Sequence, residues 1–392
     1  MAEFASGKVE VFLGPQELGG ADDLEAAIVD FIRGAKESLD IAVQELDSLP
    51  IAEAIVDARW RGVGIEVFLE QDYLRTTLKA KPDPPKPKAG ETPDEALRRT
   101  QWRSDEEEID RDASLARNRW ILAALLRNGV QVRGDFNPAI FHQKFILRDY
   151  RGKAVRSTAL LSGSANFTVT DTHRNLNNVF VFHDARICAR YRDEIAQLAR
   201  GEFGRGAHGD VPRTYDLAGV PAKILFAPDH TPELEFMKQM LKVQERGEIW
   251  FAVFTFAGSS GIDDTMLALA RGGVKLRGVL DPAQAKQKWA APAWLRHENI
   301  ELRVPKRQGA FAAIGKVHHK LMVIDDRIVV AGSFNYTQPA NDYNDENLFV
   351  LGSPHDEVEG IEVIPNPCRD LGEHVRAELQ RIFELSTPFV PG

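Results

Sequence analysis

Phe141-His142-Gln143-Lys144-Phe145-Ile146-Leu147-Arg148-Asp149, followed by Ser162-Gly163-Ser164-Ala165-Asn166-Phe167-Thr168, returns later as Val317-His318-His319-Lys320-Leu321-Met322-Val323-Ile324-Asp325, followed by Ala331-Gly332-Ser333-Phe334-Asn335-Tyr336-Thr337. Both copies read His-x-Lys-x4-Asp and then Gly-Ser-x-Asn. A single His-x-Lys on a strand is ordinarily a surface pair, and a single Gly-Ser-x-Asn is ordinarily a turn. The same two patterns twice, in the same order, mark an internal repeat.

The repeat extends outward from these stretches. Val11-Phe12-Leu13-Gly14-Pro15 resembles Ile224-Leu225-Phe226-Ala227-Pro228, and residues 36–46 line up with 246–256, a helix end running into an apolar strand. Residues 51–61, closed by Gly62 and followed by a strand over 65–69, match 266–271, Gly272-Gly273 and a strand over 274–280. Strands alternating with helices that end on glycine predict an α/β fold. We therefore expect two internally repeated α/β domains, residues 1–210 and 211–392, each a mixed sheet flanked by helices and packed as a pseudo-dimer. The early strands of the halves lie 210 residues apart but the two histidines only 176, so the first half carries 34 additional residues. They fall at about 78–112, where Lys79-Ala80-Lys81-Pro82-Asp83-Pro84-Pro85-Lys86-Pro87-Lys88 precludes a helix. That insertion reads as a solvated surface excursion, or as a lid contacting substrate.

A chain of 392 residues with 43% hydrophobic and 27% charged residues is long enough for two units and too apolar for wholesale disorder. Only Cys188 and Cys368 occur, far apart, so neither a disulfide framework nor a zinc site is predicted. The sequence shows no leader pattern and no run as long as a membrane span, which predicts a cytoplasmic protein without stable membrane association. A net charge of −9 argues against a uniformly basic nucleic-acid binder and leaves room for a local basic cleft.

Residues i and i+2 of a strand share a face, so His142 and Lys144 lie side by side, as do His318 and Lys320. Each half thus presents an imidazole beside an ammonium. Gly163-Ser164 and Gly332-Ser333 let amides and the hydroxyls of Ser164 and Ser333 approach an anion, and Asn166 and Asn335 add donors. Two His, two Lys, two Ser and two Asn make a site for a phosphate whose charge grows during in-line displacement. His319, between the motif residues, faces the other side of its strand and reads as structural. Trp250, Phe251, Phe254 and Phe256 read as core strand residues.

These paired stretches resemble the HKD motifs of the phospholipase D superfamily, and the similarity runs through both repeats. The resemblance implies two phospholipase D-like repeats and a two-step reaction, in which one histidine attacks phosphorus while the other protonates the leaving oxygen and then activates water. It implies no cofactor and no metal, the lysines neutralising the phosphate instead. By the same analogy His142 is the nucleophile and His318 the general acid/base, an assignment that the sequence leaves exchangeable. Asn344-Asp345-Glu346-Asn347 matches the family's Asn-x-Glu-Asn element, whose glutamate orients a catalytic imidazole. The aligned first-half residue is Asn177, so Glu346 is expected to be the sole orienting acid, for a histidine the sequence does not identify. Asp149 and Asp325 are implied to be structural. With both motifs in one chain, catalysis needs no homodimer, although a higher oligomer or a regulatory partner stays open.

The superfamily cleaves lipid and nucleic-acid diesters, and fold alone does not choose. Gly-Ser-Ala-Asn-Phe-Thr and Gly-Ser-Phe-Asn-Tyr-Thr look like its nuclease branch; the phospholipid synthase branch tends to carry an aspartate and Arg-Ser after the asparagine. We therefore expect a nuclease with DNA or RNA as partner, and keep a phospholipase or small-phosphodiester hydrolase, and a non-catalytic nucleic-acid-binding subunit, as alternatives. Arg148, Arg151, Lys153 and Arg156 in the first half, and Lys306, Arg307 and Lys316 before the second motif, are basic residues that read either as contacts to a phosphate backbone or as ordinary solvated charges.

Overall fold

The computed structural model describes residues 1–74, 92, 117–151, 157–206, 208–352 and 367–390. The insertion expected at 78–112 therefore lies, apart from Thr92, outside the described residues. Two mixed sheets form the frame. The first contains β1 (Ala2–Phe4), β2 (Val9–Gly14), β3 (Ser38–Val43), β4 (Gly64–Leu69), β5 (Gln131–Gly134), β6 (Lys144–Arg148), β7 (Ala159–Gly163) and β8 (Asn177–Phe182), in the order β1-β2-β8-β7-β6-β3-β4-β5. The second contains β9 (Thr214–Leu217), β10 (Val220–Ala227), β11 (Glu248–Val253), β12 (Lys275–Leu280), β13 (Ile300–Val304), β14 (Lys320–Ile324), β15 (Ile328–Gly332), β16 (Glu346–Gly352) and β17 (Thr387–Pro388), in the order β17-β13-β12-β11-β14-β15-β16-β10-β9.

With β1, β9 and β17 set aside, the two orders are identical: β2-β8-β7-β6-β3-β4-β5 against β10-β16-β15-β14-β11-β12-β13. Within each, three neighbours are parallel (β3, β4 and β5; β11, β12 and β13) and the remaining pairs antiparallel. The parallel pairs require crossover helices. Leu49–Trp60 serves β3 to β4, N-capped by the Ser48 hydroxyl, which accepts the Ile51 N–H, and Ile262–Arg271 serves β11 to β12.

Burial follows the pleat. In β6, Phe145 and Leu147 point into a core shared by both repeats, where they meet Tyr191, Phe226, Val317 and Phe349, whereas Ile146 points to the first repeat's own helices. The second repeat has its own outer core, with Phe236, Met266 and Tyr336. Helices Ala185–Arg200 and Pro367–Glu384 contribute Ile187, Tyr191, Leu371 and Leu379 to the shared core. Those aromatic and aliphatic side chains are fully buried, at roughly 1.5–3 kcal/mol each, so the halves are joined by a core rather than by a polar surface. No helix among the described residues is long and apolar enough to cross a membrane. Cys188 and Cys368 are both buried, and burial pushes Cys188 up to about 12.

Docking of the halves repeats one contact with their roles exchanged. The His142 N–H donates to the Asp345 carbonyl at 2.9 Å, and the His318 N–H donates to the Leu176 carbonyl at 2.9 Å. Phe141 bridges Asp345 and Val317 bridges Leu176, both in parallel. The start of each histidine strand is thus hydrogen-bonded to the start of the other repeat's β8 or β16, which brings the two motifs face to face.

Candidate active site

The motif residues meet at the carboxyl ends of β3 and β11, the end of an α/β sheet where ligands ordinarily bind. Lys144 pairs with Val43, and Lys320 with Val253. A cleft of about 560 Å³ opens there, lined by His142 and Asn166 from one repeat, by His318 and Asn335 from the other, and by Phe254 and Trp289 along its wall.

Local chemistry fixes each part. A β-carbon at Gly163 would overlap the Asn178 carbonyl oxygen, and one at Gly332 (φ +140°) the Asn347 carbonyl oxygen. Glycine is therefore what lets β7 and β15 press against β8 and β16. Thr168 and Thr337 N-cap the short helices Val169–His173 and Gln338–Asp342, which turns the chain back toward the cleft. Asp149 accepts the N–H groups of Glu37 (2.7 Å), Lys36 (3.0 Å) and Ser38 (3.1 Å), and Asp325 those of Gln244 (2.6 Å) and Glu248 (2.9 Å). Both carboxylates brace the entry to the central parallel strand and stand away from the cleft. Burial works against the Asp149 charge, but the Glu37 N–H and its neighbours outweigh it and hold the carboxyl below the usual range.

Each histidine is anchored from the opposite repeat. His142 Nδ1 lies 2.6 Å from Glu346 Oε2, which also accepts the Ser333 hydroxyl at 2.6 Å; the Asn344 amide donates to Oε1 at 3.1 Å. His318 Nδ1 lies 3.0 Å from Asn177 Oδ1, which also accepts the Ser164 hydroxyl at 2.7 Å, and 3.4 Å from Asp171 Oδ2. Anchoring at Nδ1 leaves Nε2 as the ring nitrogen available to the cleft. The serines depart from the expectation of a substrate-binding role. Ser164 and Ser333 are 0% exposed, and their hydroxyl protons are committed to Asn177 and Glu346. They hold the groups that hold the histidines.

Lys144 donates to the His142 carbonyl (2.8 Å) and to Gln44 Oε1 (3.2 Å), and Lys320 to the His318 carbonyl (2.8 Å). Burial lowers Lys144 to about 8, against the pull of Glu346, Asp171 and Glu45. Burial, then repulsion from Lys144, puts Lys320 well below its ordinary value. Burial likewise lowers His142 to about 4, partly opposed by Glu346, and puts His318 well below its ordinary value, with Lys320 and Lys144 adding to the effect. Crowding and desolvation together make these cationic groups costly to hold charged, and an anion entering the centre would offset that cost. The Asn166 carboxamide oxygen, buried without a partner, faces the same centre.

Other residues fall differently from the sequence reading. Trp250, Phe251 and Phe256 are core, but Phe254 lines the cleft, its ring 5.1 Å from that of His318 and 5.2 Å and 5.4 Å from the Lys316 and Lys320 ammonium groups. It directly follows β11, and a position just past a parallel strand's carboxyl end was the available signal. Arg148 and Arg151 stand away from the cleft. Arg148 donates to the Phe31 and Ser157 carbonyls, and Arg151 pairs with Asp40, at the far end of β6; Lys153 and Arg156 lie outside the described residues. His319 is fully buried beside Asn178 on the opposite face, with Asn178 Nδ2 3.0 Å from its Nδ1. Away from the cleft, His208, Asp210 and His230 gather ligand-type atoms within 4.8 Å. His230 Nδ1 accepts the Phe226 N–H at 2.9 Å, so the neutral ring keeps its proton on Nε2 and has no second lone pair to offer an ion.

A family model described as "Cardiolipin synthase, PLD-like domain" matches residues 28–199 and 237–363. A mitochondrial cardiolipin hydrolase of Chlamydomonas reinhardtii is 34% identical over 102 residues, 26% of this chain and 43% of that protein. A phospholipase D of Rickettsia conorii is 34% identical over 79 residues, 20% of this chain and 36% of that protein. The chain thus spans less than half the length of these curated relatives. Phosphatidylserine synthase of Haemophilus influenzae is similar in fold, with a TM-score of 0.60 over 99% of this chain and 89% of its own, at 12% identity. The family model covers well over half of the residues, in two segments that each contain one His-x-Lys-x4-Asp motif, and the chain belongs to the phospholipase D superfamily.

Proposed function

We propose that the chain hydrolyses phosphodiesters through a phosphohistidine intermediate, and that its substrate is a nucleic acid. The observation that carries the reaction is the pair of histidines anchored at Nδ1 from opposite repeats on one cleft, each with a buried lysine hydrogen-bonded to its own carbonyl. In this reading Nε2 of His142 attacks phosphorus, the bond to the leaving oxygen breaks, and that oxygen takes a proton from His318. His318 then removes a proton from water, whose oxygen attacks the phosphorus and returns His142 to its starting form. Glu346, at 2.6 Å from Nδ1, favours His142 as nucleophile because it stabilises the positive charge that develops on the attacking ring. Lys144 and Lys320 supply charge where the phosphoryl oxygens gain it.

Support for a polymer substrate comes from the cleft's margin. Lys316 is exposed beside Phe254, and a second recess of about 350 Å³, lined by Arg307, Lys316 and Phe254, adjoins the main one. Lys286, Lys288, Lys306, Arg307 and Lys316 are all exposed, and none forms an ion pair with a described residue. With Trp289 on the wall, this margin combines phosphate contacts with a stacking platform. A phospholipid reading has its own support in the similarity to a cardiolipin hydrolase and a phospholipase D and in the apolar wall of Ile140, Ala257, Trp289 and Pro339.

The test is cleavage of labelled single- and double-stranded DNA and RNA in EDTA, beside cardiolipin and phosphatidylglycerol vesicles, by the native chain and by His142→Ala and His318→Ala. Polymer cleavage that survives EDTA and is lost in both variants is expected. Headgroup release from vesicles with intact polymers would replace the nuclease reading by the lipid one, and turnover surviving in either variant would sink the two-histidine mechanism.

A further inference from the structure

The two repeats differ at two positions of the network around the histidines, and the differences compensate. Across this region equivalent residues lie 169 apart: Asn166 and Asn335, Thr168 and Thr337, Asn175 and Asn344, Asn178 and Asn347. In the second repeat the first residue of β16 is the carboxylate Glu346, and the short helix carries Ala340. In the first repeat the matching strand residue is Asn177, and the helix residue matching Ala340 is Asp171. Each half therefore brings one carboxylate to this network, from different elements.

Asp171 is buried, 3% exposed. Its Oδ2 accepts the Asn166 N–H at 2.7 Å and lies 3.4 Å from His318 Nδ1, while Oδ1 accepts from the Asn175 amide. The Asn177 amide donates to the Asp171 carbonyl at 3.0 Å, which ties the two candidate partners of His318 together. The carboxamide of Asn177 accepts a hydrogen bond but carries no charge to balance an imidazolium; the carboxylate beside it does both. We propose that Asp171 is the relocated counterpart of Glu346: a positioning residue that keeps the proton on His318 Nδ1 and stabilises the charged ring from which the leaving oxygen takes its proton. This rests on the reaction proposed above. Burial and the charges of Lys320, Lys144, Lys316 and His142 all work against a second proton on His318, the Phe254 ring packs against it, and Asp171 Oδ2 lies 3.4 Å from its Nδ1. Asp171 is the carboxylate in contact with that ring, so removing its charge should weaken the ring's hold on a second proton.

The test compares Asp171→Asn, which keeps the shape and an acceptor for the Asn166 N–H, with Asp171→Asn combined with Asn177→Glu, which moves the carboxylate to the place it has in the other half. Hydrolysis of bis(p-nitrophenyl) phosphate, a diester with neither base nor acyl chain, is followed against pH, and the His318 ring is titrated by NMR in the same proteins. Asp171→Asn is expected to lower kcat about 100-fold with little change in KM. It should also move the alkaline limb of the profile and the His318 titration to lower pH, and the double variant should recover kcat to within tenfold. An unmoved His318 titration in Asp171→Asn would overturn the proposal, as would a loss of kcat without a pH shift that the double variant does not repair, since either makes Asp171 only a brace for Asn166. The NMR readout needs no turnover, so a native chain that fails to cleave the diester counts against the reaction and not against the Asp171–His318 contact.

Discussion

Replacing Lys144 by Met separates what the site costs the fold from what it gives the reaction. Lys144 is 1% exposed, and burial lowers it from 10.5 to about 8. At 1.36 kcal/mol per pKa unit, keeping that ammonium charged in the folded protein at neutral pH costs about 3 kcal/mol relative to the unfolded chain. Methionine removes the charge at similar length but leaves the His142 carbonyl and Gln44 Oε1 without a donor, a loss of about 1–3 kcal/mol. The two nearly cancel at pH 7, so the decisive quantity is the pH dependence. Because the folded value lies below the unfolded one, the native chain should gain about 3 kcal/mol on the variant as pH rises from about 8 to 10.5, and lose it again as pH falls through 8. Lys320 adds to the contrast, since in the variant it no longer meets the repulsion of Lys144. Urea unfolding of both proteins from pH 7 to 10.5 measures the difference, and diester hydrolysis should fall at least 100-fold alongside it. Parallel stability curves over that range would show that the ammonium is not desolvated as argued. Retained turnover would show that it carries none of the phosphoryl charge.

Glu346→Gln keeps the contacts to Ser333 and His142 but removes the charge at 2.6 Å; kcat should drop by about 10³–10⁴ with KM nearly unchanged, and single-turnover kinetics should place the loss in phosphohistidine formation. Asp149→Ala orphans the three N–H groups at the entry to β3 and should destabilise the chain by about 2–4 kcal/mol in chemical denaturation at pH 7. Because the Asp149 carboxyl is held low, that stabilisation is present above the ordinary carboxylate range and fades as pH falls through its folded value, so native and variant should converge in acid.

The repeat and the His-x-Lys pairs were legible because they depend on local periodicity. Two residues apart on a strand is a statement about one face, and Gly-Ser-x-Asn-x-Thr encodes a close strand approach and a helix cap within a few residues of itself. What escaped the sequence depends on docking. Nothing in either repeat alone says that Glu346 reaches His142 rather than His318; that follows from the exchanged hydrogen bonds, His142 to Asp345 and His318 to Leu176. Ser164 and Ser333 read as anion ligands because a hydroxyl after glycine often is one, and only the fold shows those hydroxyls turned toward Asn177 and Glu346. Phe254 carries the same apolar signature as its neighbours in β11 and differs by lying just past the strand's end. Arg148 and Arg151 are basic and near the motif in sequence, but a strand of five residues carries them to the opposite end of the sheet's strands.

Duplication poses a chemical problem that the asymmetric residues answer. Two identical half-sites would give two histidines in the same surroundings, whereas displacement at phosphorus gives the rings different tasks, one forming and losing the bond to phosphorus and the other giving and taking a proton. Moving a side chain along the scaffold would break the shared strand registers, so the difference has to be made in the surroundings. His142 receives a direct carboxylate at 2.6 Å, and His318 receives a neutral amide at 3.0 Å with a carboxylate beside it at 3.4 Å. Transplanting Glu346 into the first repeat as Asn177→Glu, with Asp171 left in place, sets the two carboxylates around His318 against each other. If unequal surroundings are what divide the labour, the added charge should hold His318 protonated to higher pH and slow the second step, where it must take a proton from water. The phosphohistidine should then accumulate, and acid-quench detection of protein-bound phosphate would measure it directly. A variant that turns over faster, with no accumulated intermediate, would mean that the asymmetry is incidental to the chemistry.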